Sequence, residues 1–259
     1  MNAIKVITQE KELELNEHKL FKFLLALALL IIFSLALLPI VSAAPAGPQI
    51  TYISNSTASA VSASRGQDAK GTITVLTMSS VQQDYKWKAY VGNVTGLLAL
   101  DDANAKSIFD WSLATITGEI YSTRASTVNW VNVSCVNDSV VTSEQSALGM
   151  AASDRDNINR TFNYTSHASF QVGTKSISNS TCKSTATYVN DAAQVINETA
   201  SFQQVLLRDD LTSSLVYASL INDNRLSYDG SSTYDFQMIV AENESNSIPT
   251  TYYFYVELG

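Results

Sequence analysis

Histidine occurs twice in this 259-residue chain, at His18 and His167, so proton transfer near neutral pH has few side chains to draw on. His167 stands in Tyr164-Thr-Ser-His-Ala168, where it could in principle serve a serine nucleophile. No Gly-x-Ser-x-Gly turn exists to strain a serine into position, and His167 reads as a surface-loop residue. Glycosidase chemistry needs two carboxylates facing one cleft. Asp101/Asp102 and Asp209/Asp210 are sequence neighbours, which on an extended chain point to opposite faces, so both pairs read as turn residues. No two glycines stand two residues apart, which removes the phosphate-cradling loop. The expectation is a protein without catalytic residues.

Calcium is the one cofactor the sequence leaves open. Asp154, Asp156, Asn157 and Asn159 offer carboxylate and amide oxygens within six residues, and Asn222, Asp223, Asn224 and Asp229 form a second such group. Neither follows the twelve-residue helix–loop–helix pattern, and polar turns account for both. No other metal site is expected, because a structural zinc needs four ligands and the chain has two cysteines. Cys135 and Cys182 read most simply as one disulfide closing a loop of about 47 residues. The remaining chemistry is at asparagine. Asn-x-Ser/Thr sequons begin at Asn55, Asn93, Asn132, Asn137, Asn159, Asn163, Asn179, Asn197 and Asn243. These nine compare with about four expected by chance at this Asn, Ser and Thr content.

Sequons and disulfides require export, and the N-terminus supplies a route. Phe23–Leu38 is sixteen residues with Ser34 as the only polar one; Lys19 and Lys22 precede it and Pro39 follows. Val41-Ser42-Ala43 then offers small residues at the spacing a signal peptidase reads. Residues 1–43 are therefore a signal peptide or, with Phe23–Val41 long enough to reach nearly across a bilayer, an uncleaved anchor. In both cases the remainder lies outside the cytoplasm, because no Lys or Arg follows the apolar run until Arg65. The net charge of −8 and pI near 4.7 argue against nucleic acid as a partner.

Beyond residue 44 the pattern is strands. Tyr85–Val91 alternates with period two, with Tyr85, Trp87, Ala89 and Val91 on one face and two lysines on the other. Further strands are expected at 94–100, 108–113, 119–122, 128–135, 202–207, 215–221 and 234–241, separated by turn-like Asp101–Asn104, Asp209-Asp210 and Tyr228–Ser231. Residues 251–258 carry aromatics on both faces and read as a central strand. One short helix is expected near 143–152. Residues 153–187 read as sequon-dense loops with a strand near 169–172. Residues 44–66 are a spacer or an N-terminal strand. The expected architecture is all-β: one antiparallel β-sandwich domain over residues 67–259, following an N-terminal hydrophobic helix.

Trp87-Lys-Ala-Tyr-Val-Gly-Asn-Val-Thr-Gly96, Leu97–Ala103, Asp110-Trp-Ser112, Gly118–Tyr121 and the closing Tyr-Tyr-Phe-Tyr-Val-Glu-Leu258 resemble a group of exported proteins encoded by archaeal genomes. The resemblance implies a cell-envelope location. That group has no established activity, so it transfers no role to any residue. The expectation is a glycosylated surface protein, structural or adhesive, whose partners are other copies of itself or other envelope proteins. Gln49–Ser54, alternating Ile50 and Tyr52 with Thr51 and Ile53, is a candidate strand for adding to a neighbour's sheet. The alternative is a carbohydrate-binding module presenting Trp87, Trp111 or Trp130 to surface glycans.

Overall fold

A computed structural model of the chain describes residues 44–64, 66–244 and 248–259. The apolar run Phe23–Val41 and the Val41-Ser42-Ala43 exit lie outside the described residues. Among the described residues no helix is long and apolar enough to cross a membrane.

Among the described residues fourteen strands follow in chain order, with two short α-helices. The main sheet runs β14 (Tyr253–Leu258), β4 (Gly118–Thr123), β10 (Leu215–Leu220), β9 (Gln203–Asp209), β5 (Val133–Cys135), all antiparallel; β8 (Ser184–Ala186) shares the outer edge of β9 with β5. β9 and β10 are buried along nearly their whole length, so each of their faces meets a separate apolar cluster. On one face Ile120, Leu206, Tyr217 and Met238 pack with Val140, Val141, Ile158 and Phe162 from the helical segments. On the other, Tyr121, Val205, Leu207 and Val216 pack with Phe170, Val172 and Ile177. These last come from the hairpin β6 (Phe170–Val172) and β7 (Lys175–Ile177).

The second sheet has two strands, β1 (Trp87–Gly92) and β13 (Phe236–Ala241), and it covers the first cluster. Side chains of the main sheet close the far edge of β13: Gln204 bonds both the N–H and the C=O of Ile239, and Ser219 Oγ donates to Gln237 O. A third pair, β2 (Leu97–Asp101) and β3 (Ser107–Ser112), is exposed throughout. β11 (Arg225–Leu226) and β12 (Thr233–Tyr234) form a small hairpin. The architecture is all-β with few helices, and its sheets do not close.

Several expectations shift. Residues 251–258 form an edge strand, not a central one: β14 has aromatics on both faces because Phe254 meets Tyr90 on one side and Tyr255 meets Trp130 on the other. The helix α1 starts earlier, at Asp138–Ala147, because the Asn137 side chain accepts the Val140 N–H and caps it. Trp130–Asn132 is a 3-10 turn, not strand. β1 is half-buried on both faces: Trp87 packs against Phe162 and Tyr90 against Phe254, Lys88 is half-buried, and Ala89 alone is exposed. The lysine is accepted there because Glu242 pairs with it and the Tyr252 ring lies beneath it. The described residues of 44–66 and 67–84 contain no strand; among them Ala46 alone pairs, bridging Val256 on the outer edge of β14.

Candidate functional site

The cysteines are joined as Cys135–Cys182, tying the strand entering α1 to the loop before β8. His167 sits beside that bridge and is fully buried, which corrects its reading as a surface residue. Its Nδ1–H donates to Ala168 O, and Nε2 accepts the N–H groups of Thr181 and Cys182. A ring with both nitrogens committed to backbone organises the turn around the disulfide and has no free atom to take a substrate proton. The sequence signal for this was available only as proximity to Cys182, which the spacing does not show.

The first oxygen-rich group does converge, but on an ammonium. Lys86 Nζ lies 3.0 Å from Asp154 and 3.2 Å from Asp156. Asp154 also accepts Ala151 N–H, and the lysine holds its carboxyl below the ordinary range. Asn157 caps the short helix α2 (Ile158–Thr161), and Asn159 Oδ1 takes the Lys183 ammonium. The second group is distributed over turns. Asn222 accepts Phe202 N–H, Asp229 accepts Ser231 and Ser232 N–H, and Asn224 N–H goes to Asp235. Among the described residues no three His, Cys, Asp or Glu side chains cluster as metal ligands would.

The acidic pairs hold turns as expected. Asp102 accepts the N–H groups of Asn104 and Lys106; Asp209 accepts those of Asn129 and Leu211. Burial raises the Asp209 carboxyl, yet these bonds and the Thr212 hydroxyl outweigh it and leave it below the ordinary range. A carboxylate pair that sequence reading missed is Glu119 and Glu257, directly opposite in the β4–β14 register and both buried. Glu257 accepts Gly173 N–H and the Tyr121 hydroxyl. Burial, then the facing Glu257 charge, push Glu119 up to about 8. The pair is buried between β4, β14 and the β6–β7 turn.

Two surfaces remain. Eight sequon asparagines, at Asn55, Asn93, Asn132, Asn137, Asn159, Asn163, Asn179 and Asn197, are exposed, and Asn243 is half-buried beside Gly149. At Asn197 the side-chain oxygen accepts Thr199 N–H and Oγ1–H. The other surface is apolar. Leu98, Leu100, Phe109 and Trp111 share one face of the β2–β3 hairpin, each half or more exposed. Between Gly47 and Asp84 the described residues are exposed and form no strand, with Ile50, Tyr52, Ile53, Val61, Ile73, Val75, Leu76, Met78 and Val81 all open to water. Of the tryptophans, Trp87 donates to Asp156 O and Trp130 packs between Tyr121 and Tyr255; Trp111 is the exposed one.

No protein-family model matches the chain, and neither the curated proteins nor the solved structures include a match to it.

Proposed function

We propose that this is an exported, glycosylated cell-surface protein with a structural role, a β-sandwich subunit that assembles with further copies of itself through its N-terminal segment. The observation that carries the reading is that segment. Nearly forty residues between Gly47 and Asp84 hold nine large apolar side chains in water and pair with no strand among the described residues. A monomer gains nothing from such a segment, since apolar surface contributes to stability only when removed from water, at about 25 cal/mol per Å². Strand addition to another subunit gives it a place. Support for export comes from the lysine-flanked apolar run and the disulfide; support for glycosylation comes from the eight exposed sequon asparagines. The sandwich reading rests on β1–β13 packing over one face of the main sheet.

The test is intact mass and sedimentation of the protein from its native envelope fraction, beside a chain lacking residues 47–84. High-mass assemblies of glycan-bearing chains, lost on deletion, bear the proposal out; a monomer in both sinks it. A second reading is supported by Trp111 and Phe109, 4.9 Å apart on the exposed hairpin, as a platform for surface glycans. The two rings are tilted 59° and do not form one flat floor, so this reading ranks second. Glycan binding lost in Trp111→Ala would raise it.

A further inference from the structure

We infer that residues Thr72–Met78 of one copy add as a strand along the outer edge of β1 in a second copy; this rests on the self-assembly proposed above and names its two surfaces.

The donor is identified by composition and by what it lacks. Five of its seven residues are β-branched, no proline interrupts it, and from Gly71 to Gln83 there is no charge. As a strand it places Ile73 and Val75 on one face and Leu76 and Met78 on the other, the pattern of a strand covered on both sides. In this structure Ile73 is 97% and Val75 92% exposed. No sequon lies between Asn55 and Asn93, so no glycan would stand on the donor strand itself. Gln49–Ser54 is the weaker candidate, because Ala46 is held to the same chain's β14 by two backbone bonds, of 2.9 and 2.8 Å. Three residues later the segment is still tethered to its own flank. Thr72–Met78 is far along the chain from that tether.

The acceptor is identified by unpaired backbone. Glu242 N–H donates to Lys86 O, so the even-numbered residues of β1 direct their backbone at β13. Trp87, Ala89 and Val91 direct theirs outward, and no strand of the described residues meets them. Edge strands are ordinarily guarded by lysines. Here both candidates are drawn away, Lys86 to Asp154 and Asp156 and Lys88 to Glu242. β1 lies over β14, with Tyr90 and Phe254 rings 4.9 Å apart, so the edges of both sheets open on the same flank. Val94, Ile116, Phe254 and Val256 are only partly buried against the core there. That flank already accepts one backbone bridge, at Ala46–Val256, and Pro48 ends it because the next inward N–H is missing. The β14 edge is thus partly occupied, and the β1 edge is free.

The occupant is a second copy, not the same chain folded back. Eight residues separate Met78 from Trp87, enough for a hairpin, yet the segment forms no strand and, among the described residues, β1 pairs with β13 alone. Those residues span at most about 30 Å, which reaches a neighbour packed against the flank.

The experiment uses full chains with one added cysteine each: one population carries Ala89→Cys, and a panel of others carries cysteine at one position from 72 to 78. Mixed and oxidised, a disulfide at alternate panel positions is expected between chains. In parallel, Val75→Pro is expected to keep the monomer's melting temperature, since Val75 makes no strand there, while abolishing the high-mass species. Assembly that persists in Val75→Pro, with no cross-link to Ala89→Cys, overturns this pairing and leaves self-assembly standing by another contact. A cross-link found only when both cysteines are on one chain, at monomer mass, shows closure in cis and also overturns it. If the unsubstituted protein never assembles, the self-assembly reading itself fails and this pairing with it.

Discussion

Buried Glu119 makes the stability of this fold fall as pH rises, against the usual direction for a carboxylate. Most acids in folded proteins are held ionised, and stabilise above their unfolded pKa. Glu119 is held protonated: its carboxyl moves from the ordinary 4.5 to about 8, by burial first and by the charge of Glu257 second. Between those values the folded chain keeps a proton that the unfolded chain releases. The stabilisation from this group is therefore complete below about pH 4.5, declines at about 1.4 kcal/mol per unit, and is gone above about 8. Integrated over that window it amounts to about 5 kcal/mol, a third or more of the stability of an ordinary domain. Glu119→Gln supplies a neutral side chain of the same shape and removes the slope. The assay is urea unfolding of both proteins at half-unit steps from pH 5 to 8.5. The variant's midpoint should stay level while the wild type declines, with the gap widest near pH 8. Wild-type and variant curves that run parallel would refute the reasoning. Glu257→Gln should shrink the wild-type slope, because it removes the facing charge while its side-chain oxygen still accepts Gly173 N–H.

Three further outcomes follow from other parts of the structure. Reducing Cys135–Cys182, or replacing both cysteines with alanine, should cost about 4 kcal/mol for a loop of 47 residues, read as a fall in the denaturation midpoint. Asn137→Ala should lose about 1 kcal/mol through the missing helix cap, whereas Asn137→Asp keeps the cap and removes only the sequon; equal loss in both would show that the glycan, not the cap, matters. Lys86→Met should lower the melting temperature slightly by leaving the carboxylates of Asp154 and Asp156 facing each other, and millimolar calcium should raise its melting temperature more than the wild type's, where the ammonium already neutralises them.

The strands with strong alternation or dense β-branching were legible without coordinates. β1, β3, β10 and β13 lie within one or two residues of where period and turn signals place them, because those signals are local: a strand's side chains alternate whatever it packs against. The disulfide was legible because two cysteines admit a single pairing. Asp102 and Asp209 were legible as turn residues because a short carboxylate bonds the backbone just ahead of it in sequence.

What the tertiary structure decided is which face and which edge. The polar face of β1 is half-buried like the apolar one because Glu242, 154 residues away, pairs with Lys88. The aromatic closing strand became an edge because its neighbours Tyr90 and Trp130 come from other layers, which no window on 251–258 contains. Glu119 and Glu257 are unremarkable in sequence and are brought face to face only through strand register. His167 became a buried scaffold because the disulfide brings the Thr181–Cys182 backbone onto its ring. In each case the deciding partner is remote in sequence. Periodicity carries the local geometry of the backbone, while burial, pairing and open edges are properties of the contacts between elements.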